Sequence, residues 1–367
     1  MDETRISDQI KAVKEEISNT PYHKGTEHYI GRLRAKIARL EDQLLDKRLK
    51  KSGGGGGGGY AVAKSGDATV VLVGFPSVGK STLLNQLTEA KSKTAHYPFT
   101  TLTVVPGMMN YQGAKIQILD VPGLISGAAS GRGRGKEVLS VVRVADLILF
   151  LVDKKNLKQV NSIIRELESA GIRPGQISPQ VVVNKKNKGG ILIKNPHNLK
   201  DISSETAKGI IEELGIKNAE ILIKDKKITQ ERLIDAILGN RVYLPYFLAV
   251  NKIDNLKKTQ IKKIKNNFPE AILISALTGQ GIKDLKRTLF NKLALKRIYL
   301  KPQGGRVDFE EPLIMKGKET VADVATKIGQ ALEGKKNAYV WGKSAKFPGQ
   351  LVANNHVLLD EDIISFR

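Results

Sequence analysis

Gly74-Phe75-Pro76-Ser77-Val78-Gly79-Lys80-Ser81, directly after the β-branched run Val70–Val73, decides the fold. An apolar strand that ends at Gly74 and gives way to a helix near Gly79 matches the glycine-rich phosphate loop. The glycines let backbone N–H groups converge on phosphate oxygens, and the positive end of the following helix adds to their pull. In such a loop Lys80 neutralises the β and γ phosphates and Ser81 places its hydroxyl on Mg²⁺, with Thr82 following.

Working outward, Asp120-Val121-Pro122-Gly123 ends the strand Ile116–Leu119. An Asp there can hold Mg²⁺ through a water, and the Gly123 N–H can meet the γ-phosphate. Asp-x-x-Gly is common in turns; here it gains force from lying one strand–strand unit after Lys80. Asn251-Lys252-Ile253-Asp254 follows the run Tyr246–Val250. Guanine presents two N–H donors, N1 and N2, that one carboxylate accepts as a forked pair, and adenine has no such pair. Asp254 is therefore the base reader, with Asn251 and Lys252 bracing the loop and the ring. Ser275-Ala276-Leu277, after another strand, supplies a backbone donor to the guanine oxygen; alone it would pass for an ordinary strand end. Between the phosphate loop and Asp120 lies Tyr97-Pro98-Phe99-Thr100-Thr101-Leu102, where a threonine can bind Mg²⁺ and report the γ-phosphate, or simply belong to a strand. Gly131-Arg132-Gly133-Arg134-Gly135 reads as a mobile switch segment or a solvated loop. The histidines show no metal-ligand spacing, so no zinc is assigned.

The apolar runs Val70–Val73, Ala114–Leu119, Leu147–Val152 and Tyr246–Val250 alternate with helical patterns. That predicts an α/β fold, a mostly parallel sheet with helices on both faces. Residues 1–51 read as a helical hairpin, with Ile6, Ile10, Val13 and Ile17 on one face and Ile30, Leu33, Ile37, Leu40 and Leu44 on the next. It is either a short coiled-coil prop or an RNA contact. Residues 52–65 hold seven consecutive glycines, Gly53–Gly59, a flexible tether or a packed loop. Residues 66–155 and 243–296 form the nucleotide-binding domain, 156–242 an inserted α+β subdomain, and 297–367 a small α+β module.

The 367-residue chain has 60 Lys plus Arg against 37 Asp plus Glu, a net charge of +23. That excess favours a polyanionic partner, nucleic acid or a ribosome, over a merely lysine-rich surface. It has no cysteine, which excludes disulfides and thiolate metal sites. Met1–Gln9 lacks the apolar core of a secretory signal, and Leu147–Val152 is too short to cross a bilayer. The expectation is a soluble cytoplasmic protein without membrane contact.

The nucleotide motifs resemble the Obg-type GTPases, specifically the developmentally regulated GTP-binding protein (DRG) family. So do Gly131–Gly135, Asn184–Ile193, and Thr20-Pro21 with Lys24, Thr26 and Glu27. Tyr339-Val340-Trp341-Gly342-Lys343-Ser344 and Asp360-Glu361-Asp362 are similar to a TGS domain, a ubiquitin-like β-grasp module. The resemblance covers essentially the whole chain. It implies a Mg²⁺-dependent GTPase that cycles between GTP and GDP, with potassium as a candidate further cofactor, that associates with a ribosome, rRNA or tRNA and, in eukaryotic members, works with a stabilising partner protein. It also selects Thr101 over Thr100 as the switch threonine. Two positions depart from related GTPases. Leu124 stands where many have a water-orienting glutamine, and Ser77 stands where some have an asparagine that holds potassium. Two other readings remain at this stage. One is an ATPase on the same fold, which Asp254 opposes. The other is an RNA- or ribosome-binding module whose nucleotide site is mainly structural.

Overall fold

A computed structural model describes residues 3–51, 65–88, 95–96, 103–121, 141–142, 144–200, 202–329 and 337–366. In chain order, α1 (Glu3–Asn19) and α2 (Glu27–Lys51) precede β1 (Ala68–Val73), α3 (Lys80–Leu87), β2 (Ala95–His96), β3 (Thr103–Tyr111), β4 (Ala114–Asp120) and β5 (Leu147–Val152). Next come α4 (Val160–Ser169), β6 (Ile172–Pro174), β7 (Val181–Lys185), β8 (Ile191–Lys194), α5 (Ser204–Glu213), β9 (Ala219–Ile223), α6 (Gln230–Leu238) and β10 (Val242–Leu244). The chain continues with β11 (Tyr246–Val250), α7 (Lys258–Asn267), β12 (Ile272–Leu273), α8 (Ile282–Lys292), β13 (Leu295–Leu300) and β14 (Leu313–Lys316). It ends with α9 (Val321–Lys327), β15 (Ala338–Trp341), β16 (Gln350–Val352) and β17 (Ile363–Phe366). The glycine run Gly53–Gly59 lies outside the described residues.

The chain divides into two compact units, residues 1–59 with 171–243, and residues 60–170 with 244–367. The second unit contains the seven-stranded sheet, in the order β12-β11-β5-β1-β4-β3-β2. Its strands run parallel except β3, which pairs antiparallel with β4 and with β2 at one edge. Every residue of β1 and of β5 is buried, as continuous apolar runs in a sheet covered on both faces must be. Leu83, Leu84 and Leu87 of α3 and Leu285 and Leu289 of α8 join that core. Residues 156–170 fall in this unit, so the insert begins at Gly171 and not at residue 156. The reason is topological. β5 and β11 are parallel neighbours, and a parallel pair needs a crossover, which α4 begins before the insert interrupts it.

The same unit ends in a five-stranded sheet, order β14-β13-β17-β15-β16, with β13 parallel to β17 and the other pairings antiparallel. Val321 and Val324 of α9 pack with Ile298, Val340 and Ile364 beneath it. This is the β-grasp arrangement expected of the C-terminal module.

In the first unit, α1 and α2 join through Ile6, Ile10 and Leu40. The other side of α2 enters the core of the insert. Ala35 and Ala38 sit among Ile210, Ile211 and Leu233, over the three-stranded sheet β7-β9-β8. Small residues permit the approach. A Cβ on Gly31 would lie 2.9 Å from Thr206 Cγ2, and one on Gly209 would lie 2.5 Å from His28 Nε2.

A buried ionic network closes this unit. Asp235, 6 % exposed, accepts from Arg173 Nε and Nη2 at 2.6 and 2.8 Å and from Arg241 Nε at 3.2 Å. Arg241 also donates to Asp42 of α2 at 2.9 Å. Burial and the Asp235 charge push the Tyr243 phenol up to about 12. Removing one member of such a network strands the charges it neutralised, which costs about 3–5 kcal/mol. Asp235→Ala is expected to lose that much in urea unfolding. Lys14→Ala, which breaks the exposed Lys14–Glu41 pair, is expected to lose under about 1 kcal/mol.

Candidate functional site

The phosphate loop turns at the carboxyl end of β1, where α3 begins. Gly79 caps the helix with φ 96°, a left-handed backbone that glycine adopts without penalty. A Cβ there would also lie 2.5 Å from Asn251 Nδ2, so conformation and space both demand glycine. Gly74 and Val78 are buried, Phe75 is half-buried, and Pro76, Ser77, Ser81 and Thr82 face solvent. Lys80 Nζ donates to the Gly74 and Phe75 carbonyls, each at 3.1 Å. The ammonium thus sits inside the curve of the loop, where a phosphate oxygen can take the place of a carbonyl.

Parallel pairing of β1 with β4 sets Asp120 beside Leu72 and brings it to the start of α3. Ser81 Oγ donates to Asp120 Oδ2 at 3.2 Å. Asp120 is 2 % exposed, and its other oxygen, Oδ1, is buried without a hydrogen-bond partner. A hydroxyl beside a half-satisfied buried carboxylate is a donor set that suits Mg²⁺, a hard cation with oxygen ligands. Burial pulls the Lys80 ammonium below its ordinary value, partly opposed by Asp120. Among the described residues no cluster of three or more His, Cys, Asp or Glu could hold a metal.

Burial likewise raises the Asp120 carboxyl above its ordinary value, against the pull of Lys80 and of the Ser81 hydrogen bond. A carboxylate raised in the folded state gives its full stability below its unfolded value of about 3.9, and loses it as pH rises through the folded value. Asp120→Asn is therefore expected to raise the melting temperature of the nucleotide-free protein near neutral pH. The gain is expected to vanish toward pH 4 in a pH series of thermal melts.

The base-reading loop is built onto the same framework. Asn251, 3 % exposed, donates from Nδ2 to the Val78 carbonyl at 2.9 Å and accepts at Oδ1 from the Ala276 N–H at 2.8 Å. One carboxamide thus ties three loops together: the phosphate loop, Asn251–Asp254 and Ser275–Leu277. Lys252, with φ 64°, donates from Nζ to the Ser77 carbonyl at 2.6 Å and lies 3.6 Å from Asp153. Asp254 is exposed and open to a base. Ser275 is fully buried, and its Oγ accepts from the Thr278 N–H at 3.2 Å. The Ala276 N–H is given to Asn251, and the Leu277 N–H has no hydrogen-bond partner among the described residues. The Leu277 side chain is 76 % exposed beside it.

The structure therefore assembles Gly74–Thr82, Asp120, Val121, Asn251, Lys252, Asp254 and Ser275–Leu277 at one end of the sheet. Phe99, Thr100, Thr101, Pro122 and Gly123, with Leu124 and Gly131–Gly135, lie outside the described residues. Sequence reasoning missed Asp153. Its Oδ1 accepts from the Lys155 and Asn156 N–H groups, each at 3.1 Å, and its other oxygen faces Lys252. An Asp directly after the buried run Leu147–Val152 was the signal.

Residues 69–185 match the family described as 50S ribosome-binding GTPase, residues 188–295 the C-terminal region of MMR_HSR1 domain, and residues 296–367 the TGS domain. The chain is 48 % identical to an uncharacterized GTP-binding protein of Methanocaldococcus jannaschii, over 98 % of this chain and 92 % of that one. It is 41 % identical to a developmentally-regulated GTP-binding protein 2 homolog of Dictyostelium discoideum, over 98 % of each. With developmentally-regulated GTP-binding protein 2 of Homo sapiens it shares 39 % identity, again over 98 % of each. The nucleotide loops and the matched length agree: the chain is a GTP-binding protein and belongs to the developmentally regulated GTP-binding protein family.

Proposed function

We propose that the chain hydrolyses GTP to GDP and phosphate as a Mg²⁺-dependent molecular switch that acts on ribosomes in the cytoplasm. The observation that carries this reading is the Asn251 carboxamide, which locks the phosphate loop to the base-reading loop and so fixes the distance between triphosphate and purine. Lys80 leaves the Gly74 and Phe75 carbonyls to neutralise the β and γ phosphates, while the loop's backbone N–H groups cradle them. Ser81 and Asp120 would hold Mg²⁺, which supplies positive charge against the phosphates when bound. Thr101 and Gly123 meet the γ-phosphate through backbone groups, so that its loss releases both switch segments. Leu124 cannot orient water, so unassisted turnover is slow and a partner supplies what is missing. Ser77 offers no carboxamide to potassium, and its carbonyl receives the Lys252 ammonium, so any stimulation of turnover by potassium would draw its ligands from other groups.

Support for the ribosome comes from the +23 charge and from the match of residues 69–185 to the 50S ribosome-binding GTPase family. The test is twofold. GTP turnover is expected to require Mg²⁺. Ribosome co-sedimentation is expected to differ between GDP and a non-hydrolysable GTP analogue. Equal pelleting in the two states would remove the switch and favour a ribosome-binding module with a structural nucleotide.

A further inference from the structure

We infer that α7 presents a phosphate-binding stripe that docks the backbone of structured RNA. The helix and the turn before it carry Lys257, Lys258, Lys262, Lys263 and Lys265, with no acidic residue between Asn255 and Pro269. Ile264 is its one buried side chain. Lys258, Lys262 and Lys265 recur at i, i+4 and i+7, all exposed, on the side turned away from Ile264. They form a row about 10 Å long at 1.5 Å rise per residue. None of the three has an ion-pair partner among the described residues, unlike Lys252, Lys292 and Lys316 in the same unit. Like charges at i,i+3 and i,i+4 weaken a helix. No acidic side chain pairs with them among the described residues, which leaves the stripe suited to an anionic partner.

The positive surface continues beside the helix. Lys154 and Lys155 line a cavity of about 480 Å³ that also holds Asp153, Asn251 and Lys252 of the nucleotide loops, together with Leu256 and Gln260 of the α7 side. Lys158 lies at a second, largely apolar cavity that Asn267, the last residue of α7, and Glu270 also line. Lysines thus continue from the helix to Lys154, Lys155 and Lys158 in the segment that follows β5.

Its chemistry selects the occupant. Lysines are compact point charges suited to phosphate oxygens. The stripe has no exposed aromatic side chain on which an unpaired base could stack, so it contacts backbone and does not read bases. A protein partner would need an apolar centre to its interface, and a membrane would need apolar side chains to insert. The stripe offers neither.

This deepens the ribosomal reading, but it stands or falls with RNA affinity alone. The test measures binding of the full chain to a fluorescein-labelled RNA duplex across a salt series. Each lost phosphate contact lowers the slope of log K against log salt by about 0.9. The Lys258→Gln, Lys262→Gln, Lys265→Gln variant is expected to bind at least about tenfold more weakly, with a slope lower by roughly 2–3. GDP binding is expected to be unchanged, and the matching triple arginine variant is expected to retain RNA binding. Unchanged RNA affinity in the glutamine variant would overturn the inference. So would loss only when Lys185, Lys186 and Lys188 are replaced, or binding to phosphatidylserine vesicles in place of RNA. Nucleotide-insensitive ribosome pelleting, in contrast, removes the switch and leaves this stripe untouched.

Discussion

Lys80→Ala is expected to lower GTP turnover by on the order of 10³-fold or more while the protein stays folded. In phosphoryl transfer there is little covalent work for the protein to do, so rate comes from position and charge, and one cation placed on the developing charge carries about 10³–10⁵. Lys80 is the phosphate loop's own lysine, held on the Gly74 and Phe75 carbonyls, whereas Lys252 reaches the Ser77 carbonyl from another loop. Stability is not expected to follow. Burial depresses the Lys80 ammonium more than Asp120 restores it, so the folded protein carries the charge at a cost. The fold around it rests on the buried apolar side chains of β1, β4 and β5, such as Val70, Leu72, Ile116, Ile118, Leu147 and Leu149, and not on this side chain. Single-turnover GTP hydrolysis with saturating Mg²⁺, beside a thermal melt, separates the two effects. Wild-type turnover in this variant would mean that the loop is not the catalytic centre. A collapsed melting temperature would mean that the lysine is structural.

The parts of this site that were legible in the sequence are those whose physics is local. Val70–Val73 and Leu147–Val152 had to be buried strands, because a continuous apolar run has no polar face to show to water. Glycine after the first of them, then lysine and serine, had to be a loop whose backbone points at an anion. Asn251 was legible only as a brace. Its contacts are to Val78 and Ala276, set by the order β11-β5-β1, and no local pattern encodes that order. β3 was missed because Pro106 and Gly107 interrupt its strand signal, and it is held by pairing with β4. The place of α2 was hidden for a different reason. Its apolar repeat announced one partner, α1, whereas the second contact is made by Gly31, Ala35 and Ala38, residues too small to register as a hydrophobic face. The start of the insert was misplaced by the same blindness to topology. α4 has the amphipathic pattern of any surface helix, and only the adjacency of β5 and β11 shows that it belongs to the nucleotide-binding sheet.

Asp254→Asn is expected to exchange guanine for xanthine as the preferred base. Guanine offers N1–H and N2–H to a carboxylate that accepts both. Each hydrogen bond to a charged group contributes about 1.5–3 kcal/mol, so losing the pair weakens GDP binding by roughly 10²–10⁴-fold. Xanthine keeps the N1–H but carries a carbonyl in place of the amino group. Against Asp254 that carbonyl faces a second acceptor and is repelled. Against an asparagine carboxamide it meets an N–H donor while the amide oxygen takes the N1–H, so both edges are satisfied again. Asp254 is exposed, and no other side chain leans on it among the described residues, so the exchange leaves the fold intact. Asn251, which holds the loop to Val78 and Ala276, remains in place to orient the new amide. Isothermal titration with GDP and with xanthosine diphosphate reads the result directly. If the variant still prefers guanine, the forked pair is not made by this carboxylate, and base selection lies elsewhere in the loop. If both nucleotides are lost together, the side chain shapes the loop and does not read the base. Only a crossing of the two affinities, weaker for guanine and stronger for xanthine, follows from a carboxylate that accepts two hydrogens from one purine edge.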